Sequence, residues 1–173
     1  MRGRFFILKV KSILIQKIKG FDYYLRWKGI NMGKNNHIYS DITTTESYLI
    51  SIGNNNTIST NVTFITHDNA IIKFDSSKTD VFGEINIGDN CFIGANAIIM
   101  PGVHIGNNTI VAAGSVVVKS VSEEGTIVGG NPARKIGNVK DYCDRMQAYA
   151  INIDGLTDKE KEEVISKCNH LKK

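Results

Sequence analysis

The side chains of this sequence that could transfer protons, form disulfides or bind metals include four histidines and three cysteines. The cysteines are far apart and form no C-x-x-C motif, which argues against a disulfide framework or a zinc site and fits a reducing compartment. An imidazole titrates close to neutral pH, so a histidine can move protons under physiological conditions. His67 stands apart from His37, His104 and His170, because it lies in "FITHDN", directly before a polar stretch that interrupts a repeat.

That repeat has a period of six residues and extends through most of the chain. Its first position is β-branched and aliphatic at Ile87, Ile93, Ile99, Ile105, Val111 and Val117. Its fourth position holds Asn90, Asn96, Gly102, Asn108, Gly114 and Ser120, mostly residues that tolerate a positive φ. A helix does not repeat every six residues, whereas a short strand followed by a turn does. The period therefore predicts a parallel β-solenoid with the aliphatic residues stacked inside.

Two breaks interrupt this register. One contains "TTTESYL" and the other covers about residues 70–81, which read as a polar loop. Insertions in solenoids lie on one face and often bind ligands. His67 takes the fourth position of its unit, so the residues alone leave two readings open. It is either a surface turn residue or a solvent-reachable imidazole held beside the loop.

Three segments carry a family resemblance: "YLISIGNNNTISTNVTFITHD", "FIGANAIIMPGVHIGNNTIVAAGSVV" and "GGNPARKI". They resemble the hexapeptide-repeat acyltransferases, and most of all the galactoside, maltose and xenobiotic acetyltransferase group with its small polysaccharide O-acetyltransferases. The resemblance implies a left-handed β-helix that uses acetyl-CoA, needs no metal and forms a homotrimer with active sites between subunits. The implied reaction acetylates a hydroxyl of a bacterial surface polysaccharide or its precursor. An N-acetyltransferase acting on an amino-sugar nucleotide is the alternative.

The resemblance also implies roles for particular residues. His67 matches the general base, with Asp68 either orienting the imidazole or serving as an ordinary turn carboxylate. The expected CoA contacts are Ala95, Ala113, Val118, Lys119 and Arg134. The family's Thr-Lys pair is Val118-Lys119 here, and a further basic residue expected after "NPAR" is Gly137, with Lys135 as the candidate to substitute for it. The expected acceptor contacts are Glu46, Ser47 and Tyr39.

The ends of the chain predict helices around the all-β core. We expect an N-terminal helical cap over residues 1–30, the β-helix over 31–137 and a helical tail over 138–173. The N-terminal segment is basic and has an apolar side formed by Phe6, Val10, Ile13, Leu14 and Ile18. Such a helix either caps the open end of the solenoid or lies on an anionic membrane. In the tail, Thr157 and Glu160 have the spacing of a capping box.

Composition and motifs narrow the remaining classes. Charged residues make up 22% and apolar residues 42% of the chain, as is typical of globular proteins. No nucleic-acid motif accompanies the net charge of +4, and no signal peptide is evident, so we expect a cytoplasmic protein, with the inner membrane face as a peripheral alternative. A γ-class carbonic anhydrase would need a close histidine pair for zinc, which this sequence lacks. A non-catalytic solenoid stays open as a third reading.

Overall fold

The computed structural model describes residues 15, 16, 18 and 20–168, and the core of this part is built from very short strands. The strands are β1 Asn31–Met32, β2 His37–Ile38, β3 Ile50–Ile52, β4 Thr57–Ile58, β5 Thr63–Phe64, β6 His67–Asp68, β7 Val81–Phe82, β8 Ile85–Ile87, β9 Phe92–Ile93, β10 Ile98–Ile99, β11 His104–Ile105, β12 Ile110–Val111, β13 Val116–Val117, β14 Thr126–Gly130 and β15 Ala133–Asn138.

Apart from β6 and β7, which pair with each other, these strands form three sheets that are the faces of one coil. Sheet A has the order β1-β3-β8-β11, sheet B the order β15-β14-β12-β9-β4-β2 and sheet C the order β13-β10-β5. Within them every pairing is parallel except that of β14 with β15. Because consecutive strands enter different sheets, the chain winds as a coil and each coil stacks on the next. The parallel stacking predicted from the six-residue period is therefore observed.

The repeat positions have the environments that their residue types require. The first-position residues from Ile52 to Val117 are at most 4% exposed and form one continuous core. Burying each such aliphatic side chain stabilises the fold by roughly 1.5–3 kcal/mol. At the fourth position, Asn55, Asn61, Asn90, Asn96 and Asn108 have φ between 55° and 59°. The asparagine column therefore makes the turns that separate the strands.

A short helix covers the N-terminal end of this core. It is α1, Phe21–Trp27, and its Leu25 is fully buried with Ile30 behind it. Phe21 and Tyr24 pack partly buried against the same core. The apolar side predicted further upstream lies outside the described residues except for Ile18, which is 73% exposed. Capping is thus observed for α1, whereas capping or membrane contact by residues 1–14 stays a prediction.

The C-terminal end is closed differently. Strand β15 turns back antiparallel on β14, and α2, Val139–Met146, follows, with the Asn138 side chain accepting a hydrogen bond from the Asp141 amide. The next helix, α3, spans Asp158–Ser166, and its predicted Thr157–Glu160 capping box is confirmed. Neither α2 nor α3 buries a residue. Among the described helices, none is long and apolar enough to cross a membrane.

Candidate active site

The chain leaves the solenoid at His67. Strand β6 pairs antiparallel with β7, so that His67 lies opposite Phe82, and the segment between them contains a 3-10 helix at Ala70–Lys73. His67 is extended and has no positive φ, unlike the asparagines in the matching position. Placing His67 in a turn was therefore wrong. A residue that starts an antiparallel hairpin needs the extended backbone of a strand.

The imidazole of His67 is held by a carboxylate from the preceding coil. Its Nδ1 lies 2.8 Å from Oε2 of Glu46, which stands just before the 3-10 helix Ser47–Leu49 in the first break. The side chains are 42% exposed for His67 and 15% exposed for Glu46. The ring of Phe82 packs at a centroid distance of 5.7 Å on the imidazole. The first break thus meets the residue that leads into the second break at one hydrogen bond.

The protonation of this pair follows from the surroundings of the carboxylate. Hydrogen bonds to Glu46, first from the Thr45 hydroxyl and then from Thr66 and His67, lower its pKa from 4.5 to about 2, although partial burial opposes the shift. An ionised carboxylate can only accept hydrogen bonds. Nδ1 of His67 must therefore carry a proton, and in the neutral imidazole the lone pair is on Nε2. This tautomer is the one that a general base requires.

A cavity of about 610 Å³ opens beside His67 because sheet C is one strand short. Sheets A and B each contain a strand from the first coil, whereas in sheet C strand β5 is the edge. The first break occupies part of this gap, and the cavity is lined by Lys28 and His67, by β5 and its following residue Ile65, and by the threonines Thr43, Thr44, Thr45 and Thr66. Hydroxyl groups and an unpaired strand edge suit a ligand rich in hydroxyl groups.

Lys28 is a second titratable residue in the lining of this cavity, besides His67. Its ammonium group donates to the carbonyl of Ile42 and lies 3.4 Å from the Asp41 carboxylate, and its side chain is 17% exposed. An ammonium group has three donors. The Tyr24 ring lies 5.3 Å from the nitrogen on the helix side. Lys28 therefore fastens α1 to the first coil at the edge of the cavity.

The three residues predicted to contact the acceptor have different surroundings in the structure. Glu46 binds the imidazole instead of standing free for a ligand. Ser47 is buried and its hydroxyl donates to the Thr44 carbonyl at 3.2 Å, so it is closed to an acceptor. Tyr39 is exposed and follows β2 of sheet B, away from the residues that line the cavity. Its contact with an acceptor stays a prediction.

Asp68, the sequence-based alternative for orienting the imidazole, has another partner. Its Oδ1 accepts a hydrogen bond of 2.7 Å from the Ala70 amide, which is an ordinary turn contact. The sequence offered one signal for Glu46, since it is the single carboxylate in "TTTESYL". Nothing in the spacing linked that break to His67, and Thr44 and Thr66 carried no signal of their own.

The residues predicted to bind CoA fall into two groups and one separate residue. Ala95 and Ala113 stack at one corner in consecutive coils, where the Gly114 amide donates to the Ala95 carbonyl at 2.8 Å. Lys119 and Arg134 line a common cavity of about 360 Å³. Val118 instead lines an apolar cavity beside the loop that follows His67.

The basic residue near Arg134 has a partner within the protein. Lys135 lies 2.6 Å from Glu123, and both line the cavity of Lys119 and Arg134. Arg134 donates to the carbonyl of its neighbour Ala133, and its guanidinium keeps further donors for a ligand. In the described part of the chain, no group of three or more His, Cys, Asp or Glu residues could hold a metal ion.

Comparisons with known proteins agree with this architecture. A model described as the hexapeptide repeat of succinyl-transferase matches residues 84–119. Protein CapG of Staphylococcus aureus is 46% identical over 99 residues, which cover 56% of this chain and 57% of that protein. The galactoside O-acetyltransferase of Escherichia coli K12 is 30% identical over 120 residues, covering 69% of this chain and 59% of the enzyme.

A solved structure extends the likeness to three dimensions. It is a hexapeptide-repeat-containing acetyltransferase of Vibrio cholerae O1 biovar eltor complexed with acetyl coenzyme A. It is 32% identical, with a TM-score of 0.58, and the match covers 66% of this chain and 62% of that one. The protein described above belongs to the hexapeptide-repeat acetyltransferase family. It spans less than two thirds of the length of the two curated relatives.

Proposed function

We propose that this protein transfers an acetyl group from acetyl-CoA to a hydroxyl of a bacterial surface polysaccharide or its precursor, with His67 as the general base. The observation that carries the proposal is the Glu46–His67 pair at 2.8 Å beside a cavity lined with threonine hydroxyls. A sugar hydroxyl is a poor nucleophile until a base takes its proton. The membership of an acetyltransferase family supports the acyl group, and the galactoside O-acetyltransferase among the relatives supports a sugar acceptor.

The residues of this chain fit a ligand that is long and anionic at one end. Small side chains at Ala95 and Ala113 leave the corner between coils open, and Val118 adds an apolar surface beside the loop. Lys119 and Arg134 meet in one cavity, where charge-assisted hydrogen bonds would bind phosphate groups. The V. cholerae relative solved with acetyl-CoA supports the same cofactor here. When bound, acetyl-CoA supplies the acetyl group as a reactive thioester.

His67 provides the proton transfers in this proposal. As the acceptor oxygen forms its bond to the acetyl carbonyl carbon, Nε2 takes the hydroxyl proton. The carbon–sulfur bond then breaks, and the protonated imidazole returns that proton to the departing sulfur. Glu46 keeps Nδ1 protonated throughout and stabilises the imidazolium between the two transfers. No covalent bond to the protein forms, and the protein ends the cycle in its initial protonation state.

The cavity in the gap of sheet C is the proposed acceptor site. A sugar there would meet Thr43 and Thr63, the edge of β5 and the remaining donor of Lys28 while one hydroxyl faces Nε2 of His67. Large apolar side chains beside His67 are exposed, including Phe74, Val81 and Phe82. Such a patch suits a subunit interface. We therefore propose the left-handed coil and the homotrimer of the family, with the active site completed by a neighbouring subunit.

The test is a screen of neutral sugars, acidic sugars and amino sugars with acetyl-CoA, measured by thiol release and by the mass of the product. An acetyl product that alkali hydrolyses identifies an ester and supports O-acetylation. An alkali-stable product formed only with amino sugars would instead identify N-acetylation. Failure to bind acetyl-CoA in a direct titration would contradict the proposal as a whole.

A further inference from the structure

Four groups that can form hydrogen bonds lie around the Glu46 carboxylate. Its Oε2 lies 2.9 Å from the Thr66 hydroxyl, 3.3 Å from the Thr44 hydroxyl and 2.8 Å from Nδ1 of His67. The Thr45 hydroxyl binds the other carboxylate oxygen. These groups come from the first break and from the residue directly before His67, so two separate segments of the chain converge on one carboxylate.

The direction of these hydrogen bonds can be derived from proton counting. The two hydroxyls of Thr44 and Thr66 lie 2.6 Å apart, so one of them donates to the other. Thr66 is the closer of the two to Glu46, and Thr44 can in turn accept from the Glu46 amide at 3.4 Å. The consistent order is therefore Glu46 amide to Thr44, Thr44 to Thr66, and Thr66 to the Glu46 carboxylate. Hydrogen bonds in such a closed chain strengthen one another.

The hydroxyl pair is buried at Thr66 and half-buried at Thr44, whereas the imidazole is more exposed. Thr66 is 1% exposed, whereas the His67 side chain is 42% exposed. A half-exposed imidazole can rotate between rotamers and exchange tautomers unless its partner is fixed. The position of the imidazole is then set by the position of the Glu46 carboxylate, which depends on the buried Thr66 and the half-buried Thr44.

We propose that Thr66 and Thr44 are positioning residues for the base, because their hydroxyl pair fixes the Glu46 carboxylate against Nδ1 of His67. Neither threonine touches the reacting atoms. They act through Glu46 by keeping the lone pair of His67 on Nε2 and aimed at the cavity. This inference rests on the proposed role of His67 in catalysis, but its structural part concerns the tautomer and holds independently of any activity.

The decisive substitution is Thr66→Val, which keeps the shape of the side chain and removes only the hydroxyl. The matched control is Thr109→Val, since Thr109 is also a fully buried threonine, and its hydroxyl binds the Asn107 carbonyl at 3.3 Å in another part of the solenoid. The conservative variant Thr66→Ser restores the hydroxyl. Circular dichroism and urea unfolding establish that each variant folds.

The first measurement is histidine ¹⁵N NMR, with the His67 signals assigned by their loss in His67→Asn. In the unmodified protein we expect the neutral imidazole of His67 to be in the Nδ1–H form. Thr66→Val should mix the two tautomers, and Thr66→Ser and Thr109→Val should not. A His67 tautomer that is the same in all variants would overturn the inference, even if the protein transfers no acetyl group to any sugar tested.

The second measurement separates positioning from simple destabilisation by steady-state kinetics. Hydrogen bonds to charged groups are strong enough that Thr66→Val should lower kcat by roughly 10- to 100-fold. The KM for acetyl-CoA should stay within about twofold, because the change lies on the acceptor side. Equal losses in Thr66→Val and Thr109→Val would show that a buried threonine hydroxyl serves only the fold. Normal turnover in His67→Asn would instead refute the proposed function itself.

Discussion

His67→Asn is the substitution that best isolates the proposed base, because the structure shows what asparagine would preserve. The amide nitrogen of asparagine is attached to Cγ, as Nδ1 of histidine is. It can therefore still donate to the Glu46 carboxylate that lies 2.8 Å from Nδ1. The atom that is lost without replacement is Nε2. His67→Gln is the complementary variant, since the glutamine amide reaches the region of Nε2 but does not replace the hydrogen bond to Glu46.

The expected changes in stability and rate differ greatly in size. The backbone of β6 is extended and paired with β7, so asparagine fits without strain. The loss of the ring contact with Phe82 should cost about 0.5–1.5 kcal/mol of unfolding free energy. Without a base, the rate of acetyl transfer should fall by roughly 10²- to 10⁴-fold, or about 3–5 kcal/mol in the barrier.

The assay combines thiol release at saturating substrates with a calorimetric titration of CoA. CoA affinity should barely change in either variant, because the proposed role of the imidazole concerns the acceptor. His104→Asn is the matched control, since His104 is exposed on sheet A and its ring binds Asn86 at 2.9 Å. A folded His67→Asn protein with near-normal turnover would refute the base assignment.

Three further predictions test other parts of the structure. The pKa of Glu46 is lowered to about 2, so the contribution of its carboxylate to stability is complete above pH 4.5 and is lost as the pH falls through about 2. Glu46→Gln should remove this part of the acid dependence of urea unfolding. An unchanged dependence on pH would contradict the stabilising role of the carboxylate. Replacing Lys119 and Arg134 together with alanine should weaken CoA binding, flatten its salt dependence and leave saturated turnover mostly intact; unchanged affinity would place the phosphates elsewhere. A methyl group on Gly94 would lie 2.5 Å from a backbone nitrogen of the next coil, so Gly94→Ala should lower the unfolding free energy by roughly 1–3 kcal/mol, whereas Gly137→Ala, which meets open space, should not.

The proposed trimer has its own measurement. Light scattering at micromolar concentration should give three times the mass of the 19.1 kDa chain. The exposed Phe74 makes the loop a suitable place to perturb the assembly, and Phe74→Ser should shift the mass toward that of the monomer. A monomeric unmodified protein would remove the argument that neighbouring subunits complete the active site.

The repeat could be predicted from sequence because each of its columns has one physical requirement. Aliphatic residues such as Ile93 must be buried, and turn residues such as Asn96 must accept a positive φ. The same reasoning failed at His67, since a period cannot show where the chain leaves the coil. Beyond that point the backbone pairs with the returning strand β7, and the local rule no longer applies.

The spacing of residues in the sequence could not predict the hydrogen-bond partner of His67, for a different reason. Glu46 is 21 residues away, in a break whose path depends on the missing strand of sheet C. The sequence also did not show that the side chains of Val118 and Lys119 point in different directions. Successive residues of an extended segment point to opposite sides, so these neighbours line different cavities. Residue types indicated which side chains could transfer protons or bind phosphate, but only the three-dimensional contacts show which of them lie in the same site.

The separation of the two halves of this site along the solenoid has a consequence for how the protein is made. Each coil contacts only its neighbours, and contacts between residues close in sequence form early. A ribosome releases the chain from its N-terminus, so Glu46, His67 and the hairpin that ends at Phe82 emerge before Lys119 and Arg134 are synthesised. The half proposed to transfer the proton can therefore meet its contacts while the half proposed to bind phosphate is still being translated.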